Sequence, residues 1–286
     1  MRIFKVYTIL LATIVTVFIL SSIILADDKQ EASVKTKHIF SSGVDAQPGD
    51  IKILEVQYDY RYPFKAYGEL PVEVSLKVGH IDIDEDVPVK LPNQLEARRL
   101  GVGVKFPAFF IDDDRFFMGI DVFPTMNTDD YDWESGAFRI PSKAYLIFKE
   151  SDDFILVAGV SVRPEYDSMV IPVLGLIYKP NDRLSFNLAL DDPNITYNLT
   201  DKTKLLWEFD YTLEEYEVTR DRERHVVLKY RDFSTGVGIE HTFWKDVSIA
   251  VKVGGVFARR LEYKDDSGKV DPDAGIYTGA RLAAKF

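Results

Sequence analysis

From Ile51 to the last residue, apolar positions recur at nearly every second place, a pattern that sheet satisfies and helix does not. Side chains alternate across a strand, so this period gives each strand one apolar and one polar face. The terminal run Asp273 to Phe286 shows it plainly. Its even positions are Ile276, Thr278, Ala280, Leu282, Ala284 and Phe286, and its odd positions are Gly275, Tyr277, Gly279, Arg281, Ala283 and Lys285. A soluble sheet can alternate too. In an exported chain, such a strand ending on Phe286 predicts an outer-membrane β-barrel, its apolar face towards lipid and its polar face towards the lumen. Phe286 is then the candidate assembly signal.

The N-terminus carries the export signal. Arg2 and Lys5 precede the uncharged apolar run Val6 to Leu25, and Ala26 stands before Asp27-Asp28. Residues 1–26 therefore read as a signal peptide cleaved near Ala26, although the run is also long enough for an anchor. The chain has no Cys, which excludes disulfides and a lipid-modified N-terminal Cys. The mature chain of about 260 residues suits one β domain. Its formal charge falls from −11 to −13 once Arg2 and Lys5 are removed. Such acidity argues against nucleic acid as a partner. After residue 26 no apolar run approaches the length of a membrane helix, and a barrel needs none.

Asp27 to Asp50 is polar, with Ser41-Ser42-Gly43 and Pro48-Gly49, and reads as a flexible leader of residues 27–50. The barrel domain is expected over 51–286. Val72 to Val78, Leu100 to Phe110, Phe116 to Val122, Phe138 to Phe148, Leu184 to Leu190, Leu205 to Leu213 and Val247 to Val253 alternate well. Phe154 to Arg163 and Met169 to Lys179 are further candidates, the first apolar on both faces for much of its length. Connections at Ile111–Asp114, Glu150–Asp153, Lys179–Asp182, Thr200–Thr203 and Trp244–Asp246 are tight. Those at His80–Glu96, Pro124–Gly136 and Leu261–Asp273 are long and acidic. Short turns on one side and long loops on the other suit an up-and-down transmembrane barrel. This parity requires Val226 to Phe243 to be one strand. Its outward set changes from even to odd around Arg231 to Ser234, which predicts a bulge there. The count is about twelve strands, with ten to fourteen as the range.

One resemblance adds to this. The runs Pro193 to Asp201, Tyr230-Arg231-Asp232, Gly236 to Glu240, Val253 to Phe257 and Arg259 to Tyr263, with the terminal Phe286, resemble a bacterial family of outer-membrane β-barrels of unknown function. The likeness is strongest over 184–286. It implies a location and a fold but no activity, so no functional residue is carried over. Position 284 is Ala where a second large apolar residue is usual.

Alternation places Lys77, Arg99, Lys105, Arg139, Lys143, Arg163, Lys229, Lys252, Arg281 and Lys285 in the lumen. Glu73, Asp121, Glu208, Asp210, Glu214 and Glu240 stand against them. In an acidic protein with a basic lumen, these charges read first as pairs that fill a narrow barrel. The alternative is a pore that favours anions. The acidic clusters Asp82-x-Asp84-Glu85-Asp86, Asp112 to Asp114 and Asp129, Asp130 and Asp132 lack an EF-hand pattern and read as solvated loops. Phe148, Tyr178, Trp207, Tyr211, Phe243, Trp244 and Phe257 fall near strand ends, where aromatic girdles sit. Of the enzyme signals, His38, His80, His225 and His241 have no metal-ligand spacing, and no nucleophile elbow or phosphate loop is present. A rim site joining His80 or His225 to Ser135 or Ser234 is the weakest alternative. The expected protein is a passive narrow channel or structural barrel, not an enzyme, without cofactor or metal. Its expected partners are outer-membrane lipid and the barrel-assembly machinery. The alternative is a non-conducting barrel whose acidic loops bind a partner or divalent cation.

Overall fold

A computed structural model describes residues 30–67, 69–130, 135–189, 192–220, 223–244 and 246–286. The expected signal peptide and cleavage site lie outside them, as do Asp132, Lys245 and the side chains of Ser135 and His225. The strands in chain order are β1 (Glu31–Val44), β2 (Gln47–Ala66), β3 (Leu70–Glu85), β4 (Gln94–Pro107), β5 (Phe116–Val122) and β6 (Thr125–Thr128). β7 (Phe138–Arg139), β8 (Ser142–Ser151), β9 (Phe154–Val162), β10 (Val170–Tyr178), β11 (Leu184–Asn187) and β12 (Asn194–Asn198) follow. The last are β13 (Thr203–Arg220), β14 (Glu223–Trp244), β15 (Val247–Tyr263), β16 (Lys269–Val270) and β17 (Gly275–Lys285). A three-residue 3-10 turn at Ser135–Ala137 is the only helical element among the described residues.

Setting aside the short β6, β7 and β16, the other strands pair antiparallel with their neighbours in one ring. β17 returns to β1, from Glu31↔Lys285 to Ile39↔Tyr277. Below that ladder Phe286 and Gln30 exchange backbone hydrogen bonds of 2.9 and 3.1 Å. The wall therefore has fourteen strands, not about twelve. One addition is β1, which occupies most of the expected flexible leader, so the barrel begins at Glu31 rather than Ile51. Its period was masked because its outward face carries Thr36 and His38 beside Ala32 and Val34. The other is β12, a five-residue strand inside the Pro193–Asp201 run. The five tight connections read from the sequence lie at the end that holds both chain termini, and the three long ones lie at the other end, where the two-residue turn between β1 and β2 also falls.

The long strands invert their polarity along their length. On β3 the outward residues Val72, Val74, Leu76 and Val78 are followed by His80, Asp82 and Asp84, while inward Glu73, Ser75, Lys77 and Gly79 are followed by Ile81 and Ile83. On β2 inward Ile51 and Ile53, both fully buried, give way to Glu55, Gln57, Asp59 and Arg61. On β13 inward Glu208, Asp210 and Glu214 give way to buried Tyr216 and Val218. The turn-side half thus presents apolar groups outward and polar groups inward. The loop-side half does the reverse. Its interior is a dry core that includes Ile39, Ile53, Ile83, Leu95, Tyr216, Leu228, Tyr230, Val256, Leu261 and Tyr263. Burial of each Ile or Leu there contributes about 1.5–3 kcal/mol.

This inversion corrects the expected bulge. β13 and β14 pair without a break from Thr203↔His241 to Val218↔Val226, so β14 keeps its even residues inward throughout. The change between Arg231 and Ser234 is one of environment, not of face. Lys229 accordingly points outward above the apolar belt, where it pairs with Asp167, and does not enter the lumen. A bulge does lie alongside, on β15, where three steps from Phe257 to Arg260 span two on β14. Ala258 there has φ 48°, and the inward set of β15 passes from Gly254 and Val256 to Arg259, Leu261 and Tyr263.

Candidate functional site: a constricted, charged lumen

Two cavities occupy the turn-side interior. The larger, about 350 Å³, lies against β1 to β5 and β8, and the smaller, about 90 Å³, lies against β1 to β3, β12 to β15 and β17. Both are lined by Lys35, Gln57, Lys77 and Asp192, so they meet at those residues.

Asp192 makes the constriction. β11 and β12 are only four and five residues long. Just before β12, Asp192 projects into the lumen and meets Lys35 of β1 at 2.8 Å and Arg61 of β2 at 3.5 Å. Asn194 and Asn187 donate to its carbonyl and hold the turn. The arrangement sets one carboxylate against Lys35 and Arg61 where the two cavities meet.

Above the constriction the charges are matched closely. Lys37, 8% exposed, lies 3.3 Å from Asp232, 3.7 Å from Glu55 and 4.0 Å from Asp210. The Tyr230 hydroxyl lies 2.9 Å from Asp232 and 3.0 Å from Glu55, directly beneath the dry core. A second cluster centres on Glu214. Arg99 donates to it at 2.7 Å, Asn127 at 3.1 Å and Tyr166 at 3.3 Å, with Arg163 at 3.8 Å. The Arg163 guanidinium stacks 3.9 Å from the Tyr166 ring and donates to the Leu213 carbonyl. That carbonyl lies on the stretch of β13 that short β12 leaves uncovered. A backbone acceptor without a strand partner is thereby satisfied by a side chain.

Of the lumen candidates, Lys77, Arg99, Lys105, Lys143, Glu208, Asp210, Lys252 and Arg281 line these cavities. Lys252 pairs with Glu208, and Arg281 with Glu240. Arg139 and Arg163 line neither cavity. Both are buried in the packing over the Glu214 cluster, Arg139 donating to the Glu215 carbonyl with Tyr166 at 5.0 Å. The chain breaks at Pro141 between β7 and β8, so Arg139 does not share the face of Lys143. Sequence reasoning missed Lys35, Lys37, Glu55, Arg61 and Asp192. The first two fell in the supposed leader. Asp192 lies outside any strand, so periodicity gives it no signal.

Outward, Trp207, Tyr211, Phe243 and Trp244 are 48–70% exposed, as girdle residues would be. His80 faces away from the lumen above the belt, paired with Glu96 and with Asp82 at 3.2 Å. The Glu96 hydrogen bond raises its pKa above the usual imidazole value. Ser234 is buried inward on β14, so His80 and Ser234 are not brought together. In a tight turn, hydrogen bonds from Arg115 pull the Asp113 carboxyl down to about 2.

The model of a family described as a domain of unknown function (DUF6268) matches residues 121–270, from β5 to the end of β16. The chain belongs to that family. Among solved structures, the COG4313 outer membrane channel from Pseudomonas putida F1 shares the fold, with TM-score 0.51 and 11% identity over 92% of this chain and 97% of that one. A Pseudomonas aeruginosa FadL homologue aligns at TM-score 0.43 and 10% identity, covering 90% of each chain. No curated protein matches the sequence.

Proposed function

We propose that this member of a family of unknown function is a narrow outer-membrane channel for small solutes, with a lumen that favours anions. The observation that carries this reading is the pair of polar cavities meeting at Asp192, inside a wall whose outer face is apolar at the same depth. In water such a belt would be exposed to no purpose, and in a bilayer it matches hydrocarbon. The five tight connections and both termini then face the periplasm, and the acidic loops face outward. The larger cavity is lined by Lys35, Arg61, Lys77, Arg99, Lys105 and Lys143 against Asp59, Glu73, Asp121 and Asp192, which supports anion preference.

A second reading is a closed barrel whose loops bind a partner. The dry core and the Glu214 cluster favour it, because both stand between the lumen and the loop end. Single-channel recording of the refolded mature protein in planar bilayers separates the two. Stable conductance steps with an anion-weighted reversal potential are expected. Insertion without current would overturn the channel, and a protein that stays soluble without detergent would overturn the membrane reading itself.

A further inference from the structure

The outward face of β13, β14 and β15 changes abruptly at one level. Tyr211, Phe233 and Phe257 stand side by side in register, all exposed, at the loop-side edge of the apolar belt. One step higher on the same face the row reads Leu213, Arg231 and Arg260. Ten residue steps along β14 separate Phe233 from Phe243, the exposed aromatic at the turn-side edge. At about 3.4 Å per residue and a tilt of about 40° they span about 26 Å, close to the apolar band of an outer-membrane barrel at about 25 Å. The two arginines therefore stand where lipid headgroups begin.

Like charges directly opposite on a sheet repel unless an anion offsets them. Asp271 meets Arg260 at 2.5 Å, whereas Arg231 has no hydrogen bond or ion pair among the described residues. Beside them, where the bulge at Ala258 distorts the wall, the outer surface holds a depression of about 470 Å³. Arg231 and Arg260 line it above, and Tyr211 and Phe233 below. Asp45 of the β1–β2 turn and Asp273 of the connection into β17 line it as well. Both carboxylates are exposed, with no cation in ion-pair distance among the described residues.

We infer that this depression binds the headgroup of an outer-leaflet lipid that carries phosphate on a sugar. Arg231 and Arg260 take the phosphate, because a guanidinium fork matches its oxygens. Asp45 and Asp273 accept hydrogen bonds from the sugar hydroxyls, and the first acyl carbons lie on Tyr211 and Phe233. Carboxylates repel a bare phosphate but serve a sugar, so the mixed lining selects the glycolipid over the free anion. The inference rests on the outer-membrane reading and not on conductance.

Native mass spectrometry of the refolded mature chain in detergent tests it, with lipid A, phosphatidylglycerol and inorganic phosphate as probes. Lipid A is expected to stay bound where phosphatidylglycerol is lost, and excess phosphate should not displace it. R231A with R260A is expected to weaken lipid A binding by about tenfold or more, as loss of charge-assisted hydrogen bonds does. R231K keeps the charge and should lose less. D45A with D273A should weaken lipid A and not phosphatidylglycerol. K52A removes an exposed outward cation from β2 and should change nothing. Equal retention of the two lipids, displacement by phosphate, or no effect of R231A with R260A would each overturn the inference. Lipid A binding by a barrel that carries no current would keep the site and overturn the channel. A chain that inserts but shows no preference for lipid A would overturn the site and keep the membrane reading.

Discussion

The two halves of this barrel obey opposite rules. In the turn-side half Val237, Val251 and Leu76 face outward and are about half exposed, while Lys77, Glu208 and Arg281 face inward. In the loop-side half Ile53, Leu228 and Leu261 face inward and are fully buried, while Lys52, Asp82 and Lys229 face outward. The same strands run through both. A strand has no preferred polarity for its two faces; each face takes the polarity of what it meets. On the channel reading proposed above, the inversion marks the level at which the outside changes from hydrocarbon to water and the inside from water to packed side chains.

The comparison can be broken most severely at the boundary. Replacing Lys37 by Met would leave Glu55 and Asp232 buried without their cation, at a cost of about 3–5 kcal/mol. Urea unfolding in lipid should show it, and a neutral result would mean those carboxylates are not held as charges. Within the dry core, Leu261→Ala removes a fully buried side chain and should cost about 2–5 kcal/mol. A loop-side interior filled with water instead of side chains would make that change nearly silent. In the other half, Val251→Arg puts a cation on the outward belt and should cost about 2–4 kcal/mol at mid-depth in a bilayer. The same substitution measured in a water-soluble state would cost almost nothing, so equal stability of the two proteins in lipid would remove the belt.

The smallest expected effect concerns the outward face above the belt. His80 has its folded pKa raised, chiefly by the hydrogen bond to Glu96. A raised pKa means the folded state binds the proton more tightly. The contribution is therefore fully present below about pH 6.5, the unfolded value, and is lost as the pH rises through the folded one. For a partly exposed pair it amounts to about 1 kcal/mol or less. The stability difference between the wild type and His80→Gln, followed from pH 5 to 9, should shrink as the pH rises. A difference that grows with pH would place His80 beside a cation instead.

Much of the candidate site could be read in the sequence wherever a strand crosses the belt. Lys77, Lys105, Lys143, Lys252 and Arg281 alternate with apolar residues that lipid would select, and they line the lumen. Alternation misleads where the surroundings of a face change along the strand. Leu228 and Tyr230 belong to the dry core, so Lys229 between them faces outward and not into the lumen. Arg139 and Arg163 stand at strand ends, where Pro141 and the turn after Val162 break the alternation.

The sequence by itself determined the all-β fold, the alternating faces of the strands and the placing of the five tight connections it identified. Each of these follows from local period and turn composition, which neighbouring residues settle among themselves. Only the tertiary structure decided the places of β1 and β12 in the wall, the dry core and the reach of Asp192 to Lys35 and Arg61. The closure of β1 on β17 and the Asp192 contacts join residues more than a hundred positions apart. A two-residue period tells which side chains share a face, but not what that face meets.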